Sequence, residues 1–236
     1  MKLSKLTAAA LVALVLGACG GADKADDAMP EAADEAVATQ ADEIAVTDAE
    51  LEGNPFLEEW DTPYGMPPFS RIEDGHYMPA IKKGVLEQRA EIDAIVNSAD
   101  EPSFDNTIVA LERAGRLLNK AAYTFGNITG TDINDELRAL QSEIYPMLTR
   151  ERDAITMNDA LYQRVKAVYD QRDSLGLDEQ DARLLELVHR GFVRAGAALS
   201  PEVKEQVAEI NAEISALTTK FGQNLLLETK AFTLEL

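Results

Sequence analysis

The sequence predicts an all-α body carried behind an export signal and an acidic tether. Three observations predict it. From residue 76 onward, apolar residues recur at spacings of three and four, the pattern of helices with one buried face. Residues that open and close helices punctuate that pattern, with Ser103, Asn158, Asp178 and Ser200-Pro201 at starts and Gly130 and Gly176 at stops. No segment alternates like a strand before Ala231-Phe232-Thr233-Leu234-Glu235-Leu236.

Residues 1–18 read as a signal peptide. Met1 to Lys5 form a short basic segment, and Leu6 to Leu16 an apolar run rich in Ala, Leu and Val. As a helix that run rises only about 17 Å, well short of the roughly 30 Å hydrocarbon core. It ends in Leu16-Gly17-Ala18-Cys19, which resembles a bacterial lipobox, so Cys19 is the expected lipid attachment site. Cys19 is also the only cysteine, and lipidation accounts for an otherwise unpaired thiol in an exported chain. Several acyl chains, at about 0.8 kcal/mol per buried CH₂, hold a protein on a bilayer. Gly20 follows Cys19 where a retention signal would have Asp. By resemblance to the sorting of such lipoproteins, the periplasmic side of the outer membrane is therefore expected over the inner membrane.

Residues 19–53 read as a tether. Between residues 22 and 53 there are eleven acids against Lys24 alone, with few large apolar side chains. Such a composition cannot offset the entropy of ordering.

Residues 54–236 form the body. A first long helix is expected from Tyr77 to Asn97 on Ile81, Val85, Ile92 and Ile95, with Pro79 tolerated in its first turn. A second opens at Ser103 and runs unbroken through Phe104, Ile108, Leu111, Gly115, Leu118, Ala122 and Phe125. The third starts near Asp132 and carries Ile133, Leu137, Leu140 and Ile144, until Pro146 kinks or ends it. A fourth follows Asn158 on Leu161, Val165 and Val168 and stops at Gly176. The fifth begins at Asp178 and uses Leu184, Leu185, Val188, Phe192 and Leu199, with Ala195-Gly196-Ala197-Ala198 as a place for close helix approach. Ser200-Pro201 opens the sixth, which places Val203, Val207, Ile210, Ile214, Leu217, Phe221 and Leu225 on one face and polar residues opposite. The apolar strand-like residues 231–236 then read as an interrupted element, and the chain as the front of something longer.

Composition excludes several functions. With 22 Lys+Arg against 42 Asp+Glu, a net charge of −20 leaves no cationic excess to displace counterions from phosphates, so no nucleic-acid partner is expected. His76 and His189 are the only histidines, and they read as packing or hydrogen-bonding residues. No His-Glu-x-x-His helix, Cys/His cluster, Gly-x-Ser-x-Gly elbow or Gly-rich phosphate loop occurs, so no catalytic, cofactor-binding or metal residue is assigned.

A series of segments then carries a family resemblance. They are Asn54-Pro55-Phe56; Trp60 to Gly65 (Trp-Asp-Thr-Pro-Tyr-Gly); Pro67-Pro68-Phe69; Ile72 with His76-Tyr77-Met78-Pro79-Ala80; Glu91 to Ile95; Ser103 to Ile108 with Ala110-Leu111-Glu112; Phe192 to Ala197; Ile210 to Glu213; and Asn224-Leu225-Leu226. Together they resemble the N-terminal portion of bacterial peptidyl-dipeptidases, or dipeptidyl carboxypeptidases, relatives of thimet oligopeptidase and oligopeptidase A. The resemblance implies a two-lobed, mostly helical zincin-type oligopeptidase, cut before its catalytic lobe. It further implies a zinc metallopeptidase that releases C-terminal dipeptides from short oligopeptides. Zinc would sit in a His-Glu-x-x-His helix plus a further Glu, none of which this chain contains. The segment present would wall the substrate channel, and alone it is expected to be inactive. A different reading of the same residues is a stand-alone helical lipoprotein that binds peptides or partners without catalysis.

Overall fold

A computed structural model describes residues 44–131 and 133–232. Cys19, the signal and most of the acidic stretch lie outside these residues. Within them there is no strand, and eight α-helices follow one another. They are α1 (Asp48–Leu51), α2 (Tyr77–Val96), α3 (Ala110–Arg113), α4 (Arg116–Thr129), α5 (Asp135–Thr156), α6 (Asp159–Asp170), α7 (Glu179–Ala195) and α8 (Pro201–Ala231). The chief pairings are α2 with α4, α5 with α8, and α6 with α7.

The expected tether overlaps the body at its end. Thr47 caps α1 reciprocally, accepting from Glu50 N while its own N–H donates to Glu50 at 2.7 Å, and Ile44 packs against apolar side chains of the body. Residues 44–53 are therefore part of the folded unit, because a capped turn and one apolar contact suffice to fix so short a stretch.

Residues 54–76 are tied down by turns that hydrophobic periodicity does not reveal. The Asn54 side chain accepts from Phe56 N at 3.1 Å and donates to the His76 carbonyl at 2.9 Å, stitching the two ends of this segment together. Trp60 donates to Pro55 O, and the Lys120 ammonium lies 4.1 Å from the Trp60 ring while donating to Phe56 O at 3.0 Å.

Two apolar clusters make the core. One gathers Phe56, Tyr77, Ile81, Val85, Phe125, Leu137 and Ile144; the other gathers Ile92, Ile95, Ile108, Leu161, Val165, Val168, Leu185 and Phe192. The first half of α2 feeds one cluster and its second half the other. α2 approaches α4 closely at Gly84, where an added Cβ would lie 2.6 Å from the Leu118 backbone.

Several expected boundaries are corrected. The second helix is not continuous: a π-helical turn over Phe104–Val109 leads into α3, and the chain then breaks at Ala114-Gly115 before α4. Gly115 adopts φ +74, a left-handed conformation that lacks the Cβ penalty only in glycine, and its N–H donates to Glu91 at 2.7 Å. Pro146 does not end α5, which continues to Thr156; one lost N–H is tolerated where Ile144 and Met147 on either side are buried. α6 ends at Asp170, ahead of Gly176. Ala195 to Ala198 are not helix interior either. Gly196 at φ +95 closes α7, with Gly196 N donating to Val193 O and Ala197 N to Phe192 O, a Schellman ending. Ala231 is the last residue of α8 and Phe232 is exposed coil, while the rest of the expected strand, 233–236, lies outside the described residues.

Candidate functional site

A groove of about 560 Å³ runs between α5 and α8, closed at one end by Thr129 and Ile133. Polar side chains recur along both walls, although most of the exposed lining surface is apolar, with Leu148, Ile214 and Leu226 contributing. Along α5, residues Gln141, Tyr145, Thr149 and Arg152 recur at helical spacing and face Asn211, Ser215, Thr219 and Gln223 of α8. Thr149 donates to the Ser215 hydroxyl at 3.0 Å, Asn211 to Asp153 at 2.9 Å, and Gln223 to Arg138 O at 3.0 Å and Gln141 at 3.2 Å. The hydroxyls of Thr129 and Tyr145 lie 3.1 Å apart at the closed end.

Charged contacts brace this seam. The Glu151 carboxylate is buried on α5 and takes two bonds from the Arg89 guanidinium of α2, one at 2.8 Å, and that pairing raises the Arg89 pKa. At the start of α8 the buried Lys204 ammonium donates to Met157 O at 3.0 Å and to Asp159 at 2.5 Å. Near its end Lys230 reaches Ile133 O.

α8 contradicts the expected arrangement of its faces. The face against α5 carries Lys204, Ala208, Asn211, Ser215, Thr219 and Gln223, and α8 adds Ile214 and Leu226 as its large apolar residues in the groove. Ile210, Ile214, Leu217, Phe221 and Leu225 are each more than half exposed. A helix with an apolar stripe ordinarily buries it. Here the polar stripe is the packed one, because α5 offers hydroxyls and amides as its partner.

The two histidines are not brought together. His76 closes a 3₁₀ turn, its Nδ1 accepting from Glu73 N at 2.9 Å. His189 on α7 stacks on Tyr169 of α6 at 3.9 Å between ring centroids, with the two rings nearly parallel, and Tyr169 in turn carries the Arg172 guanidinium on its ring. Burial pushes the His189 pKa down, with Asp170 working against that and Lys166 and Arg172 adding to it. Among the described residues, no group of three or more His, Cys, Asp or Glu side chains is placed to hold a metal. Sequence reading missed the groove itself. The signal was present in the regular recurrence of Asn211, Ser215, Thr219 and Gln223, but a polar stripe on a helix ordinarily signifies a solvated face.

No family model matches the chain. Curated proteins do. The chain is 43% identical over 181 residues to a dipeptidyl carboxypeptidase of Salmonella typhimurium, a match covering 77% of this chain and 27% of that protein. With the Escherichia coli dipeptidyl carboxypeptidase the identity is 40% over 178 residues, covering 75% and 26%. An organellar oligopeptidase A of Arabidopsis thaliana is 27% identical over 187 residues, covering 79% and 23%. The chain thus spans about a quarter of the length of the curated relatives it matches.

Proposed function

Because the chain belongs to the family of the dipeptidyl carboxypeptidases and oligopeptidase A, we propose that it is the helical front portion of a membrane-anchored metallopeptidase. Its substrates are short oligopeptides, from whose free C-terminus the enzyme releases dipeptides. The observation that carries this reading is identity of 43% and 40% to two proteins of that name over about three quarters of the chain.

Zinc, which this family assignment implies, does not fit the residues present. No cluster of ligating side chains converges among the described residues, and His76 and His189 are each engaged in a turn and a ring stack. Zinc and the general base belong to other parts of such an enzyme, and no chemical step is assigned to a residue of this chain. What this portion contributes is a wall. The α5–α8 pair is long and cross-braced by hydrogen bonds, and a channel bounded by it would admit extended peptides and exclude folded proteins.

We further propose, from the lipobox-like Leu16-Gly17-Ala18-Cys19 and the Gly20 that follows it, that a lipid on Cys19 holds the enzyme at the cell envelope, on the periplasmic side of the outer membrane. Peptides entering or leaving the envelope would be its substrates.

A chimera tests the activity. In it, residues 54–236 replace the matched portion of the Salmonella typhimurium dipeptidyl carboxypeptidase. Chelator-sensitive release of C-terminal dipeptides is expected from the chimera and not from the 236-residue chain alone. A folded chimera that releases no dipeptide, or a 236-residue chain that does release them, overturns the assignment.

A further inference from the structure

Single exposed apolar side chains are ordinary on protein surfaces, but a continuous strip of them marks a contact. On α8, Ile210, Ile214, Leu217, Phe221 and Leu225 form such a strip, each more than half exposed. With Val203 and Val207 ahead of them, the positions from 203 to 221 step by four and three in strict alternation. That is the heptad spacing of a helix-to-helix seam, and it extends about 27 Å along the axis at 1.5 Å per residue. The strip is not the face that holds α8 to the body, since Lys204, Asn211, Ser215 and Gln223 do that through hydrogen bonds. Among the described residues, α8 is therefore packed through its polar face, and its apolar strip is left exposed.

We propose that the apolar strip of α8 is the surface on which the remaining portion of the peptidase polypeptide docks, through a helix with apolar residues at matching heptad positions. The proposal rests on the family reading above. It commits to that occupant because the relatives have about three quarters of their length outside the matched region, since 27% of the Salmonella protein is covered. A second copy of this chain is a poorer occupant, since each copy carries a net charge of −20. A helix laid along the strip would match its 4-3 spacing, and the groove beside it, lipped by Ile214 and Leu226, would receive that helix's flank.

The test uses a thiol introduced by Leu217→Cys in a Cys19→Ser background, labelled with a maleimide and read by mass spectrometry of the peptide carrying it. In the 236-residue chain the thiol should label at the rate of an exposed cysteine. In the chimera described above it should label about tenfold more slowly or less, as expected for a site opened only by local unfolding. Leu217→Glu with Phe221→Glu should leave the circular dichroism and melting of the 236-residue chain unchanged, and should abolish soluble, active chimera. Equal labelling rates in an active chimera overturn the docking surface while leaving the family reading intact. A 236-residue chain that sediments as a dimer, labels slowly and becomes monomeric with Leu217→Glu assigns the strip to a second copy and overturns the proposal. A folded chimera without activity overturns the reading on which the proposal stands, and the proposal with it.

Discussion

Tyr77 shows what burial does to one residue. It is 3% exposed at the start of α2, edge-on to Phe125, and its phenol is pushed up to about 12, first because burial disfavours the phenolate and then because Asp74 repels it. In the unfolded chain a tyrosine ionises near pH 10. The folded state therefore holds its proton more tightly. This contribution is complete below about pH 10 and is lost as pH rises from there through about 12. Two pKa units amount to about 2–3 kcal/mol. Tyr77→Phe should accordingly flatten the alkaline limb of stability, seen as a smaller fall in urea midpoint between pH 9 and 11.5 than in the parent chain; identical limbs would count against it. At this scale the sequence was legible in a limited way. His76 and His189 were readable as packing or hydrogen-bonding residues because no ligand pattern surrounds them in sequence, whereas the turn closed by His76 and the stack on Tyr169 depend on neighbours that only the fold supplies. Asn54, which bonds across 22 positions to His76 O, is equally invisible to local pattern.

At the scale of elements, two glycines in helix interiors should respond with opposite sign. A Cβ at Gly84 would meet the Leu118 backbone at 2.6 Å, so Gly84→Ala forces α2 and α4 apart. Overpacking of this kind costs about 1–3 kcal/mol, more than the gain of up to about 1 kcal/mol in helix propensity. At Gly191 in α7 a Cβ would meet nothing within 4 Å, so Gly191→Ala should keep that gain. Chemical denaturation of both variants checks the contrast, and a stabilised Gly84→Ala would refute the close approach. The long periodic helices α2 and α8 were legible because their apolar spacing is local. The break at Gly115 was not, since the 4-3 pattern runs through it from Ile108 to Phe125 and Gly115 itself occupies an apolar step. Nor could the pattern say which face of α8 is packed. It locates an apolar stripe and cannot locate that stripe's partner, and the α5–α8 groove went unseen for the same reason.

For the whole molecule, charge and attachment belong together. On the lipid attachment proposed at Cys19, the acidic stretch that follows it would be repelled by an anionic bilayer surface, while the lipid would hold the chain near. Cys19→Ser should therefore move the protein from the membrane fraction to the soluble fraction on cell fractionation, and undiminished membrane retention would exclude lipid attachment there. Near Ile44 the boundary of the body was misplaced from sequence, because acidic composition continues past the point where packing begins.

α2 is common to both apolar clusters, giving Ala80, Ile81 and Val85 to one and Ile92 and Ile95 to the other. Neither cluster can come apart without unseating a helix the other requires. The two clusters should therefore unfold in one cooperative transition.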